Sequence, residues 1–156
     1  VRSVTILPAD GQTTRWDAQA CGFTYRGSRF KGGRLGGTVI LGAELQLHHA
    51  DASALEQMAR GFMAKRDAGQ PWEPSAGSVF KRTADHPAGW LIEQAGLKGH
   101  RVGGAQISTQ HANFIVNNGN ATAGDVLALI NLARDTVKRT FAVDMELEIE
   151  MVGIWQ

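Results

Sequence analysis

Residues 74–118 organise the rest of the chain, from Pro74-Ser75-Ala76-Gly77-Ser78-Val79-Phe80-Lys81 at one end to the loop Asn117-Asn118-Gly119-Asn120 at the other. Between these ends, small residues and polar groups interrupt every apolar run, as in Gly103-Gly104-Ala105-Gln106 and His111-Ala112-Asn113-Phe114. Glycines at such points let the backbone turn sharply or approach a ligand closely. The pattern therefore predicts a binding surface built from loops and short strands.

Apolar periodicity before this region predicts three strands. Residues 2–7, 12–16 and 38–48 have the composition or the alternation of strands. The segment 17–37 between them is expected to be irregular. Its four glycines over 32–37 match neither the dinucleotide-binding fingerprint nor the P-loop.

The later part of the chain mixes helices and strands. Asp51 is expected to cap a helix over 52–67, whose apolar stripe consists of Leu55, Met58, Phe62 and Met63. Further helices are expected over 88–96 and after the cap formed by Thr122 and Asp125. The expected short strands are 105–108, 113–117 and 145–152. From residue 51 onward these elements predict an α+β domain with a mixed sheet and helices on one side.

The composition excludes several classes of protein. With 156 residues, 43% apolar and 20% charged, the chain fits one sizeable core or one domain plus a piece of another. A net charge of +1 does not favour nucleic acid as a partner, and no apolar run reaches the roughly 18–20 residues that span a bilayer. Cys21 is the only cysteine, so a reducing, cytoplasmic location is expected. Basic residues occur in pairs, which favours a local anion pocket: Lys31, Arg34, Lys65, Arg66, Lys81 and Arg82.

Ser78 is the first candidate for chemistry. Gly77 allows a sharp backbone path, and the hydroxyl at a strand end could donate a proton to a carbanion or act as a nucleophile. The competing interpretation is a serine that only satisfies its own loop backbone. Ser78 and Lys81 also fit the S-x-x-K pattern of penicillin-binding enzymes. That pattern needs a helix as well as S-D-N and K-T-G motifs, which the sequence does not contain.

Glu148 is the second candidate. It stands between Glu146 and Glu150, which predicts either a solvated sheet face or a carboxylate that points into a cleft and acts as an acid or electrostatic stabiliser. Gln106 and Asn113 offer amides suited to sugar hydroxyls or uracil, although turns use the same residue types. The five histidines have no metal-ligand spacing, so no metal site is expected.

Taken together, these stretches resemble the UDP-N-acetylenolpyruvoylglucosamine reductases, the MurB family of peptidoglycan synthesis. The resemblance covers the whole chain in order and is most specific over 75–123. The matching segments include Tyr25-Arg26-x-Ser28-x-Phe30-Lys31, Ser75-Ala76-Gly77-Ser78-Val79-Phe80-Lys81, Gly96-Leu97-Lys98-Gly99-x-Arg101-x-Gly103-Gly104-Ala105-Gln106 and His111-Ala112-Asn113-Phe114-Ile115-Val116-Asn117.

The resemblance implies a flavoenzyme in which NADPH reduces FAD and the flavin passes hydride to the enolpyruvyl ether of a UDP-sugar. Ser78 matches the family's proton donor to the carbanion-like intermediate, and Glu148 matches its active-site glutamate. Tyr25 and Arg26 match a pair near substrate and flavin. Further substrate contacts are expected from Lys65, Arg66, Arg82, Gln106 and Asn113, with Arg82 standing where many members have asparagine.

The resemblance also implies a division of the chain. Residues 1–50 resemble the tail of an FAD-binding domain, 51–143 the substrate-binding domain, and 144–156 a strand that returns toward the FAD domain. The family's glycine-rich flavin segments precede the region that matches this chain. We therefore expect an incomplete portion whose missing partner is the N-terminal half of the same protein, and which alone neither binds FAD tightly nor catalyses. The alternative is a non-catalytic UDP-sugar-binding fragment without flavin.

Overall fold

A computed structural model describes residues 1–31 and 36–153 of the chain. The chain divides into two compact units, Val1–Ala54 and Leu55–Gln156. The expectations for Gly32, Gly33 and Arg34 fall outside the described residues. None of the helices in the described part has the length and apolar character needed to cross a membrane.

The first unit is built on a three-stranded antiparallel sheet in the order β2-β1-β3. Its strands are β1 (Ser3–Leu7), β2 (Thr14–Asp17) and β3 (Val39–Glu44). A short helix, α1 (Ala18–Cys21), follows β2 within the segment that was expected to be irregular. The helix forms because Asp17 accepts the N–H of Ala20 at 2.7 Å and so caps its first turn.

The third strand departs from its prediction in length and burial. It ends at Glu44 rather than at residue 48, and all six of its residues are exposed. Alternation in the sequence predicts one covered face, but within the described residues of this unit the apolar core consists of Val4, Ile6 and Cys21, with Trp16 and Phe30 against it. This core does not reach the side chains of β3.

The second unit has the predicted α+β character. Its sheet has the order β4-β7-β6-β5, and its strands are β4 (Ser75–Ser78), β5 (Arg101–Val102), β6 (Ala105–Ile107) and β7 (Phe114–Asn117). Every pair is antiparallel, so the expectation of a mixed sheet is wrong. The tight β5–β6 hairpin favours this arrangement for one pair, whereas β4 and β7 pair across the long intervening segment 79–113.

Two helices share the main core with this sheet. They are α3 (Ala88–Gln94) and α4 (Ala123–Phe141). Thr122 and Asp125 form the predicted capping box of α4, and the buried face of the helix consists of Leu129, Ile130, Ala133 and Val137. One face of the sheet contributes Ala105, Ile107 and Ile115 to the same core, as its alternation requires.

Helix α2 (Ala52–Gly69) forms where the sequence predicts a helix, but its apolar stripe is not buried. Leu55, Met58, Phe62 and Met63 are each 50–63% exposed. Within the second unit, the C-terminal end of α2 is held by Gln110, whose side-chain amide donates to the carbonyls of Asp67 and Ala68 at 3.3 and 3.1 Å.

The strand predicted over 145–152 is reduced to one antiparallel bridge between Phe80 and Leu147. The partner segment ends soon after this bridge, where a turn from Thr83 to His86 follows. The alternate apolar residues of this segment nevertheless face the main core. Met145 is buried, and Leu147, Ile149 and Met151 pack against the core.

Candidate active site

Ser78 is the last residue of β4 and is half-buried. The pairing with β7 shifts register between Ser75 and Ser78, where Gly77 has a φ of +81°. A Cβ at Gly77 would meet nothing within 4 Å, so the backbone conformation and not crowding requires glycine there. The sharp path before Ser78 that the sequence predicts is present.

Within residues 1–31 and 36–153, the hydroxyl of Ser78 makes no hydrogen bond. Other serines of this unit do satisfy their own loops. Ser75 Oγ accepts the N–H of Gly77 at 3.4 Å, and Ser108 Oγ accepts the N–H groups of Gln110 and His111 at 3.1 and 3.3 Å. The interpretation of Ser78 as a loop-satisfying serine is therefore not supported.

Lys81 is not poised to activate Ser78. Its ammonium pairs with the carboxylate of Glu146 at 2.5 Å. Ser78 ends a strand and Lys81 lies on the extended segment that follows, whereas the S-x-x-K nucleophile requires both residues on one helix face. The described geometry excludes that arrangement.

Backbone pairing joins the segment of Glu148 to the segment that follows Ser78. The N–H of Glu148 donates to the carbonyl of Val79 at 2.8 Å, and the N–H of Lys81 donates to the carbonyl of Glu146 at 2.8 Å. Glu148 therefore stands opposite the residue that follows Ser78. It is half-buried, whereas Glu146 and Glu150 are exposed. Of the two interpretations of this acidic run, the structure favours a carboxylate withdrawn from solvent at position 148.

Asn113 is buried, and both polar ends of its side chain are engaged. Its Oδ1 accepts the N–H of Phe80 at 3.0 Å, and its Nδ2 donates to the carbonyl of Phe80 at 2.9 Å. The carbonyl of Asn113 accepts the N–H of Val79 at 2.8 Å. The side chain predicted to contact substrate instead holds the backbone next to Ser78. No local sequence signal reveals this, because the bonded residues are distant along the chain.

A cleft of about 420 Å³ lies between the end of α2 and β4. Arg66, Trp72, Gly77 and Phe114 are among its lining residues. Arg66 is oriented by a bond from its Nε to Gln70 Oε1 at 3.1 Å. Lys65, its exposed neighbour on the helix, is not part of the lining. The structure thus brings Arg66, but neither Lys65 nor Ser78, into the lining of this cleft, to which β4 contributes Ser75 and Gly77.

Gln106 and Arg82 lie away from this cleft. Gln106 donates from Nε2 to the carbonyl of Gly99 at 2.9 Å and accepts at Oε1 from Arg101 at 3.1 Å and from Asn118 at 2.7 Å. Arg82 is exposed beyond the paired segment 79–81. Neither residue belongs to the lining.

Tyr25 and Arg26 belong to the first unit, at the tip of a turn. Thr24 and Gly27 exchange backbone hydrogen bonds of 3.0 and 3.2 Å around them. Arg26 has a φ of +56°, and its guanidinium carbon lies 5.8 Å from the centroid of the Tyr25 ring. A left-handed conformation is uncommon for a non-glycine residue and concentrates at functional sites.

The described residues do not fit the pyrophosphate of a flavin dinucleotide. Such an anion commonly binds the backbone N–H groups at a helix N-terminus. Here aspartate carboxylates occupy those of α1, α2 and α4, through Asp17, Asp51 and Asp125. The first turn of α3 begins with buried Ala88 and Gly89. Among the described residues, no cluster of three or more histidines, cysteines and carboxylates could hold a metal ion.

Together, the fold and the site define an α+β domain with a half-buried serine and a half-buried glutamate at one edge of its sheet. A family model described as UDP-N-acetylenolpyruvoylglucosamine reductase, C-terminal domain, matches residues 70–152, more than half of the chain. The chain belongs to this family.

Relatives extend the similarity over nearly the whole chain. The UDP-N-acetylenolpyruvoylglucosamine reductase 2 of Symbiobacterium thermophilum is 46% identical over 98% of this chain and 49% of its own length. The reductase of Carboxydothermus hydrogenoformans is 44% identical over 98% of this chain and 50% of its own length. The crystal structure of UDP-N-acetylenolpyruvylglucosamine reductase (MurB) from Thermus caldophilus matches with a TM-score of 0.81 and 35% identity, over 96% of this chain and 52% of that one. The chain thus spans about half the length of the curated relatives it matches.

Proposed function

We propose that this chain binds the substrate and delivers the proton in a reductase that converts UDP-N-acetylglucosamine-enolpyruvate to UDP-N-acetylmuramate for peptidoglycan synthesis. The observation that carries the proposal is the hydroxyl of Ser78, half-buried at the end of β4 and without a hydrogen bond to the described residues, in a chain that belongs to the reductase family. Because the chain spans about half the length of the relatives, the remainder of the activity is proposed to lie outside the matched region.

Ser78 and Glu148 carry the proposed proton chemistry. Reduction of the enolpyruvyl double bond leaves an electron pair on the carbon next to the carboxylate, and that carbon must gain a proton. The Ser78 Oγ–H bond breaks and the new C–H bond forms, after which Glu148 acts as the acid that returns a proton to the serine. Glu148 is half-buried and its N–H donates to the carbonyl of Val79, next to Ser78, which supports its inclusion in this proposal.

The family implies FAD and NADPH as the source of the reducing electrons. Since the described residues do not fit the flavin pyrophosphate, the role proposed for this chain is confined to substrate binding and proton delivery. The division into the tail of an FAD-binding domain over 1–50, a substrate domain over 51–143 and a returning segment over 144–156 is part of the same proposal.

The cleft beside β4 is the proposed place of the UDP-sugar. Arg66, which lines it, is the proposed contact for the diphosphate, because a guanidinium matches phosphate geometry. Lys65, Arg82, Gln106 and the exposed pair Tyr25 and Arg26 are proposed as further substrate contacts.

Calorimetric titration of the chain with UDP-N-acetylglucosamine-enolpyruvate tests the binding half of this proposal. The proton-delivery part of the proposal needs a hybrid enzyme, in which this chain replaces the matching half of the Symbiobacterium thermophilum relative. NADPH oxidation by this hybrid enzyme is the readout. We expect substrate-dependent oxidation that falls by about 10²–10⁴-fold in Ser78→Ala. Ser53→Ala, at an exposed position of α2, is the matched control and should retain full rate. Binding without turnover in a flavin-loaded hybrid would establish the non-catalytic UDP-sugar-binding alternative.

A further inference from the structure

We propose that Asn113 is a positioning residue for Ser78, and that its side-chain amide replaces a peptide group in the sheet. The inference rests on the proposed role of Ser78 as proton donor. It assigns Asn113 a role different from the substrate contact that the sequence predicts.

The sheet needs such a replacement at this point. β4 ends at Ser78, which pairs with Phe114, the first residue of β7. Beyond this pair, β7 provides no further strand residue for Val79 and Phe80. The carbonyl of Asn113 accepts the N–H of Val79, and its side chain bonds both the N–H and the carbonyl of Phe80. A carboxamide carries the donor and acceptor of a peptide group, so Asn113 extends the ladder by one residue.

The opposite edge of the same segment is held by the chain around Glu148. The N–H of Glu148 bonds the carbonyl of Val79, and the N–H of Lys81 bonds the carbonyl of Glu146. Asn113 on one edge and Glu148 on the other therefore fix the two residues that follow Ser78. The hydroxyl of Ser78 has no side-chain anchor among the described residues, so the backbone alone sets its position.

The surroundings of Asn113 show that water does not replace these bonds. Asn113 is only 7% exposed, and its own N–H donates to Nδ1 of His111 at 3.2 Å. His111 is held in turn, because its N–H donates to Ser108 Oγ at 3.3 Å. A buried, fully bonded amide strongly orients its partners. Displacement of a catalytic group by about 1 Å can reduce the rate by about 100-fold.

Amide hydrogen exchange in the chain itself, followed by NMR, tests the clamp. Asn113→Ala removes both side-chain bonds, whereas Asn113→Asp keeps an acceptor and places an oxygen against the Phe80 carbonyl. In Asn113→Ala we expect the Phe80 amide to exchange about tenfold faster relative to the amides of α4, and in Asn113→Asp we expect a smaller increase, because the acceptor of the Phe80 N–H remains. Val137→Ala creates a cavity at a buried position of α4 and is the control for general loss of stability. It should not accelerate exchange of the Phe80 amide more than exchange of other amides. Equal acceleration of all amides in Asn113→Ala would overturn the inference.

Two further readouts separate positioning from substrate contact. Titration with UDP-N-acetylglucosamine-enolpyruvate should give the same Kd for Asn113→Ala as for the unaltered chain. In the hybrid enzyme, kcat should fall by about 100-fold while KM is unchanged. A weaker Kd, or a raised KM with normal kcat, would assign Asn113 to substrate binding and overturn the inference. A hybrid without Asn113 substitutions that fails to reduce substrate would contradict the proposed function, whereas the exchange experiment decides the clamp independently.

Discussion

The backbone N–H of Glu148 donates to the carbonyl oxygen of Val79 at 2.8 Å, beside the bridge that joins Phe80 to Leu147. Since Val79 follows Ser78, this bond joins the backbone next to the proposed proton donor to the backbone of the proposed acid. Main-chain pairing, and not a hydrogen bond between the two side chains, connects the two segments. Substitutions of the Glu148 side chain can therefore test its chemistry without removing the pairing.

Glu148→Gln in the hybrid enzyme should lower kcat by about 100-fold, because an amide of the same shape cannot return a proton to Ser78. Glu150→Gln is the matched control, since Glu150 belongs to the same acidic alternation but is exposed. It should change kcat little. If kcat falls equally in the two variants, the negative charge of the acidic run matters and Glu148 is not a specific proton donor. Steady-state NADPH oxidation provides the measurement.

Gly104→Ala should destabilise the chain by about 2–4 kcal/mol, as expected for a steric clash in a packed region. A Cβ at Gly104 would lie 2.3 Å from the carbonyl oxygen of Gly119 and 2.5 Å from the nitrogen of Ala121, and backbone atoms cannot move aside cheaply. Urea unfolding measures the change.

Gly124→Ala is the control for this substitution. Its Cβ would find its nearest neighbour at 3.6 Å, the hydroxyl oxygen of Thr122, and the position lies within α4. Alanine should therefore be neutral or stabilise by up to about 1 kcal/mol. A Gly104→Ala chain as stable as Gly124→Ala would show that the loop at 119–121 relaxes.

The sequence predicts the positions of the helices and strands better than it predicts their burial and pairing. Capping residues and apolar spacing locate α2 and α4, because these signals act within one or two turns of a helix. Alternation also predicts strands at β3 and at 145–152. It does not show that β3 is exposed throughout or that the later segment finds only a short partner. Those outcomes depend on which residues meet in space.

The same limit applies to the site. Gly77 before Ser78 is a local signal, and the structure has the left-handed glycine that it predicts. The clamp of Asn113 on Phe80 joins residues 33 positions apart and involves a side chain acting as backbone. Neither residue type nor spacing distinguishes such an amide from one that binds a ligand. Only the hydrogen-bond partners reveal the difference.

Arg66→Ala should weaken the binding of UDP-N-acetylglucosamine-enolpyruvate by about tenfold, as expected for loss of one charge-assisted contact. Arg66 lines the cleft beside β4, whereas its neighbour Lys65 does not. Lys65→Ala should therefore weaken binding less, and mainly at low ionic strength. Titration calorimetry at two salt concentrations distinguishes the residues. If Lys65→Ala weakens binding more than Arg66→Ala does, the diphosphate does not bind in this cleft.

His111 should make the stability of the chain sensitive to mild acid. Burial lowers the pKa of His111 below its ordinary value of 6.5, the hydrogen bond at its own backbone and Glu93 oppose this shift, and Lys98 adds to it. The unfolded chain therefore binds the proton first as the pH falls. The stabilisation associated with neutral His111 is complete above pH 6.5 and is lost progressively as the pH falls from there toward the lower pKa of the folded state.

His111→Gln should remove this dependence, because glutamine does not titrate and its carbonyl can still accept the N–H of Asn113. The free energy of unfolding in urea, measured above and below pH 6.5, provides the test. Titration of Asp125 does not interfere with this measurement. The N–H of Thr122 lowers the pKa of that carboxyl below 3.8, so Asp125 affects stability only in stronger acid. If the His111→Gln variant loses as much stability as the unaltered chain between the two pH values, the sensitive group lies elsewhere.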